Sequence, residues 1–180
     1  ARFGKAQLEG QFIELIRVLA YYMLTVLVGL ALHALVTLPL LLIVLGRIRP
    51  RIHFRNMAEP MAMAFSTSSS GATLPVTLNA VENKVGVSNR ISSFVLPMGA
   101  TVNMDGTALY ECVAAMFIAQ AYGLELDFAT QFTVVLVALL TSIGVAGIPA
   151  ASLVAITIIL TAIGLPVEAV GLILAVDRIL

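Results

Sequence analysis

Apolar and polar positions divide the 180 residues into long charge-free runs separated by short charged loops. Residues 18–46 contain no Asp, Glu, Lys or Arg. At about 1.5 Å per residue, a helix of that run is longer than the roughly 30 Å hydrocarbon core of a bilayer, so the pattern predicts a tilted transmembrane helix. Residues 1–17 read as the interfacial end of a preceding helix, in which Phe12, Ile13 and Ile16 begin an apolar face. Tyr21 and Tyr22 read as interfacial anchors, and Pro39 predicts a kink. His33 reads as a ring facing a neighbouring helix rather than as a proton carrier.

Two later apolar stretches are interrupted at their centres. Residues 57–81 break at Ser66-Thr67-Ser68-Ser69-Ser70-Gly71-Ala72-Thr73-Leu74-Pro75. Each flanking half is about ten residues, half of the ~20 that a crossing needs. Residues 128–167 carry no charge and are roughly twice the length of one span, with small residues from Thr141 to Ser152 at the centre. Basic residues choose the topology. Arg47, Arg49, Arg51 and Arg55 precede the first interrupted stretch and Lys84 and Arg90 follow it; the positive-inside rule puts them all on the cytoplasmic side. That predicts a re-entrant hairpin over residues 52–85, which dips in and returns. Residues 91–124 then cross outward to an acidic loop with Glu125 and Asp127. Residues 128–167 form a second hairpin entering from outside, and residues 170–180 start a last inward crossing.

The outward segment contains LPMGATVNMDGTALY, an acid and an amide among small and apolar residues. An ionised aspartate in a bilayer costs about 2.5 to well over 10 kcal/mol depending on method, so Asp105 needs a partner, a cation or water. Pro97, Gly99 and Gly106 favour local unwinding, which would free carbonyls near Asn103 and Asp105 for a hard cation. The structural alternative is a kinked helix whose Asp105 pairs with a basic side chain elsewhere.

Composition fits this reading: 60% of residues are hydrophobic and 11% charged, and the mean hydropathy is +1.04. Ten basic and ten acidic residues leave no net charge, so nothing points to nucleic acid. The single cysteine, Cys112, excludes an intrachain disulfide and a cysteine-cluster metal site. A polar, mixed-charge start without a signal-peptide core and a stop inside an apolar run read as a piece of a longer protein.

The hairpin tips align without a gap, TSSSGATLP at residues 67–75 against TSIGVAGIP at residues 141–149, with four identical positions. One tip is expected to enter from inside and the other from outside. Inverted repeats of broken helices are how many secondary transporters build substrate sites at the midplane. Helix amino termini expected at Leu74-Pro75 and Ile148-Pro149 would suit a substrate carboxylate.

SSSGATLP, LPMGATVNMDGTALY, SIGVAGIPA and LILAVDRIL, in unbroken order from about Val18 to the end, resemble the sodium-coupled glutamate, aspartate and neutral amino acid transporters, the dicarboxylate/amino acid:cation symporters. The resemblance implies an all-α, multi-pass protein of the inner (plasma) membrane. It further implies a homotrimer in which a transport domain with two re-entrant hairpins moves like an elevator against a scaffold. By motif, Gly99 and Asn103 would give carbonyls to one sodium ion. The Asn103 amide, Met104 and the Asp105 carboxylate would serve another, and Thr101 with Ser142, Ile143 and Val145 a third. Ser68, Ser69, Ser70, Thr107, Ile148 and Pro149 would hold substrate. Glu111 matches a glutamate tied to proton co-transport, and an ionised carboxylate in a crossing helix is penalised by desolvation. The AVDRIL ending looks bacterial more than animal.

The leading expectation is therefore a symporter of acidic amino acids coupled to sodium, up to three ions, and to protons, with no covalent chemistry and no organic cofactor. Thr107 and Glu111 favour acidic substrates over the neutral amino acids and C4-dicarboxylates of other members. An ion channel also uses re-entrant loops, but nothing here resembles a TVGYG filter or a ring-forming acid. A purely structural subunit would have no use for the Asn-Met-Asp triad.

Overall fold

The computed structural model describes residues 2–144 and 151–174. These residues form helices α1 (Arg2–Leu32), α2 (Leu38–Val44), α3 (Pro50–Asn56), α4 (Ala58–Thr67), α5 (Ser70–Ala80), α6 (Asn89–Val102), α7 (Asp105–Ala121), α8 (Phe128–Gly144) and α9 (Ala151–Ala162). No strand occurs among the described residues.

Residues 1–17 and 18–46 do not separate into two helices. α1 continues through the expected boundary, where neither proline nor a glycine pair interrupts the ladder. From Ile13 to Val44 the helix is long and apolar enough to cross a membrane, with a mean hydropathy of 2.5 in its most apolar stretch. Ahead of Pro39, where a kink is expected, a π-helical turn, His33–Thr37, joins α1 to α2. Pro39 has no N–H to give the carbonyl of Leu35, and its ring would crowd that oxygen. The ladder widens just ahead of it, the Leu38 N–H reaching the His33 carbonyl five residues back.

α7 is the central helix. Ala114, Ala115, Ile118 and Ala119 are fully buried in it, and it packs on α1, α8 and α9. Small side chains let three neighbours approach one backbone. The α1 contact runs along Tyr22, Val26 and Gly29 and continues to His33 at the start of the π-helical turn, and the 4-3-4 spacing places them on one stripe. Tyr22 stacks on Phe117 with ring centroids 4.7 Å apart. A Cβ on Gly29 would lie 3.2 Å from Leu109 Cδ2, so the two helices come close there. Tyr22 is therefore a core residue, only 3% exposed, and not the interfacial anchor expected; Tyr21 next to it is the exposed one. Adjacent helix positions point about 100° apart, so both cannot face the same surroundings.

α4 and α5 form a helical hairpin. Ser68 turns the chain in the left-handed region (φ 48°), and Ser69 caps α5, its hydroxyl accepting the Ala72 N–H at 3.3 Å. The two ends meet again: Lys84 Nζ donates to Glu59 Oε2 at 2.7 Å, and Asn56 Nδ2 to the Lys84 carbonyl at 3.2 Å. Glu82, in the π-helical turn Val81–Val85, accepts from Ser92 Oγ (2.6 Å) and Asn89 Nδ2 (2.7 Å), which ties the hairpin to α6. At 10 and 11 residues, α4 and α5 are each too short to cross a bilayer that needs ~20.

One expectation fails here. The helix after the first tip starts at Ser70 and not at Leu74-Pro75, because the Ser69 cap nucleates it, and Thr73 Oγ1 donates to the Ser69 carbonyl at 2.8 Å. Pro75 sits within α5, where it removes a single ladder bond, the one to the Gly71 carbonyl.

α8 opens at Asp127, whose carboxylate accepts the Thr130 N–H at 2.9 Å. Hydrogen bonds from Thr130 hold the Asp127 carboxyl below its usual range. α8 and α9 pack on each other. The second tip, including Val145, Ile148 and Pro149, lies outside the described residues. So do residues 175–180; ahead of them the chain forms a short 3-10 helix, Val167–Leu172.

Candidate functional site: the break between two helices

α6 ends at Val102 and α7 begins at Asp105, leaving two non-helical residues, Asn103 (φ −96°, ψ 72°) and Met104 (φ −114°, ψ 49°). The expected unwinding is confined to these two. α6 runs unbroken through Pro97 and Gly99, and Gly106 lies inside α7. The Asn103 N–H still bonds the Gly99 carbonyl at 3.0 Å, and the ladder resumes with the Ala108 N–H to the Met104 carbonyl at 3.0 Å. Carbonyls between these two bonds are those of a helix end, which has no intrahelical donors of its own. The amino terminus of α7 meets them from the other side and favours a negative group there, which Asp105 supplies.

The Asp105 side chain is 46% exposed, and its Oδ2 lies 2.5 Å from His33 Nε2. Carbonyl oxygens at a helix end beside an accessible carboxylate are hard donors, chemically suited to an alkali cation. His33 does face a neighbouring helix, as its sequence context suggested, and its neighbour there is Asp105. The sequence reading did not connect the two. The signal was present in the 4-3-4 stripe ending at His33, but matching that stripe to the start of α7 needs the helix docking itself.

Thr101 is exposed and turns its hydroxyl back to the Met98 carbonyl at 3.0 Å. Ser142 is buried and donates to the Leu139 carbonyl at 3.0 Å, while Ile143 beside it is exposed. α6, which carries Gly99 and Thr101, packs on α8, which carries Ser142 and Ile143. Thr107 is half-buried in the first turn of α7. Ser68 and Ser70 are exposed at the first tip and Ser69 is half-buried.

Glu111 is fully buried, two turns into α7. Thr141 Oγ1 on α8 donates to its Oε2 at 3.0 Å, while Oε1 is buried with no hydrogen-bond partner among the described residues. Thr141 opens the TSIGVAGIP motif, so this carboxyl touches the base of the second tip. Sequence reasoning singled out Glu111 but not Thr141.

Together these features define a chain of membrane-type composition, helical and without strands among the described residues and built around a broken central helix with an accessible acid at the break. Residues 5–180 match the sequence profile of the sodium:dicarboxylate symporter family, and the chain belongs to that family. It is 52% identical over 164 residues to an excitatory amino acid transporter of Caenorhabditis elegans, covering 91% of this chain and 33% of that protein. It is also 52% identical over 167 residues to mouse excitatory amino acid transporter 3 (93% and 32%), and 49% identical over 159 residues to human excitatory amino acid transporter 1 (88% and 29%). The chain thus spans about a third of the length of the curated relatives it matches. These relatives are animal proteins, so the bacterial character read from the AVDRIL ending is not supported; six residues are too few to separate the branches of a family.

Proposed function

We propose that this chain is the substrate-carrying part of a secondary-active symporter that takes up acidic amino acids with sodium. The observation that carries the reading is the helix break at Asn103 and Met104, with the accessible Asp105 carboxylate at its edge, in a chain of this family. Gly99, Asn103, Met104 and Asp105 would hold sodium at the break. A further ion would sit among Thr101, Ser142, Ile143 and Val145, up to three in all. Ser68, Ser69, Ser70, Thr107, Ile148 and Pro149 would take the substrate's carboxylates and amino group. The excitatory amino acid transporters at about 50% identity support an acidic substrate over a neutral amino acid or a C4-dicarboxylate. The α4–α5 and α8–α9 pairs would be re-entrant hairpins of an inverted repeat, in a trimeric plasma-membrane protein whose transport domain moves as an elevator. Glu111 would carry a proton.

Competition of radiolabelled aspartate uptake tests the substrate. Excess glutamate is expected to block uptake by the full-length protein in sodium, and excess serine or succinate to leave it unchanged. Inhibition by serine or succinate but not glutamate would move the protein to another substrate group.

The topology has its own test. In a Cys112→Ala background, cysteines replacing Arg49 and Arg90 are expected to label from the cytoplasmic side alone, and cysteines replacing Glu125 and Glu168 from outside. The Glu59–Lys84 contact, which closes the first hairpin at its base, supports the first pair. Labelling of Arg49→Cys and Arg90→Cys from opposite faces would show a single crossing instead.

A further inference from the structure

We propose that His33 is a positioning residue for the cation site: its imidazole holds the Asp105 carboxylate by one oxygen and leaves the other free to take sodium. The inference rests on the sodium-site reading of Asp105 given above and adds to it a residue from a different helix.

Three observations carry it. His33 Nε2 lies 2.5 Å from Asp105 Oδ2, in a contact that joins the π-helical turn after α1 to the start of α7 across 72 positions of sequence. An ionised carboxylate only accepts, so in this contact the ring donates through Nε2 whichever way its other nitrogen is arranged. The two side chains differ in access: His33 is 21% exposed and Asp105 46%, so the carboxylate is the more accessible member of the pair. The backbone on both sides is also built for this meeting. α1 and α7 come close at Gly29 and Leu109, each one turn away from its member of the pair. His33 itself opens the π-helical turn ahead of Pro39, and such turns shift the angular position of a side chain and often occur at functional sites.

Without the ring, a carboxylate on the first residue of α7, beside two non-helical residues, is free to rotate among its staggered positions. Groups that orient a metal-binding side chain typically contribute 10- to 100-fold to affinity, and an alkali ion held mainly by carbonyls belongs at the low end, roughly tenfold. The substrate contacts proposed at Ser68, Ser70 and Thr107 do not involve His33.

The test is sodium activation of aspartate uptake by the full-length protein. His33→Leu, which keeps bulk and removes the donor, is expected to raise the sodium concentration for half-maximal uptake roughly tenfold. The apparent aspartate affinity at saturating sodium should be unchanged. His33→Gln places an amide N–H near the position of Nε2 and is expected to restore sodium activation to within about threefold, while His33→Asn, whose amide stops short of it, is not. In an Asp105→Asn background His33→Leu should add nothing. Should His33→Leu fail to reach the membrane, the comparison of His33→Gln with His33→Asn still decides the matter. Equal sodium activation in those two variants would overturn the role of His33, as would a further loss in the double variant. If Asp105→Asn itself leaves sodium activation untouched, the sodium site fails instead, so the two failures are distinguishable.

Discussion

Asp105→Asn is expected to raise the sodium concentration for half-maximal uptake by at least about tenfold, in a protein that still reaches the membrane. The substitution keeps the shape of the side chain and its oxygen acceptor and removes one negative charge. Two unit charges about 4 Å apart interact by roughly 4 kcal/mol at an effective dielectric constant near 20, and about 1.4 kcal/mol is a factor of ten. Even with most of that attraction offset by the carboxylate's own desolvation, an order of magnitude remains. The partial positive charge at the start of α7 acts in the same direction, because it no longer has an anion to face and now repels the cation. Sodium activation equal to that of the unaltered protein would mean that Asp105 serves only to pair with His33 across the α1–α7 contact.

If Glu111 carries the proton as proposed, Glu111→Gln is expected to remove both the dependence of uptake on external pH and the coupled acidification. Glu111 has no exposure, one carboxyl oxygen bound by Thr141 and the other without a partner. An ionised carboxylate left in that state costs far more than a protonated one. Loading a proton from outside therefore favours the buried arrangement in which α7 and α8 are joined, and lowering external pH should speed uptake in the unaltered protein. Glutamine mimics the protonated form permanently. Uptake by the variant should be insensitive to external pH, with the Thr141 contact kept by the amide carbonyl. An unchanged pH profile in Glu111→Gln would leave Glu111 as a structural link between α7 and α8 and assign the proton to another group.

Much of this architecture is legible from the absence of charge. Runs without Asp, Glu, Lys or Arg over residues 18–46 and 128–167 mark the apolar helices. The serine- and glycine-rich centre of residues 57–81 marks the turn at Ser68. The acid in LPMGATVNMDGTALY marks the break, since a carboxylate in such surroundings needs a reason. What sequence periodicity misses is local competition and docking. Pro75 is the more conspicuous residue, yet the Ser69 hydroxyl starts α5 five residues before it. Pro97 and Gly99 weaken a helix without ending it, because α6 loses one bond at a proline and stays packed on α5 and α8. Tyr22 looks like its neighbour Tyr21 in sequence and differs from it only by the side of α1 on which it falls. The His33–Asp105 and Glu111–Thr141 contacts each join helices far apart in sequence, and nothing in either segment alone names the other.

Sodium-gradient-driven accumulation of aspartate in proteoliposomes tests the central claim most directly. With the full-length protein reconstituted, sodium outside and potassium inside, labelled aspartate is expected to rise inside above its external concentration and to leak back once an ionophore collapses the sodium gradient. Replacing external sodium with choline should abolish the rise. Accumulation that persists without a sodium gradient, or aspartate flux that only equilibrates across the membrane, would contradict sodium-coupled symport and leave the helix break at Asn103 and Met104 with another purpose.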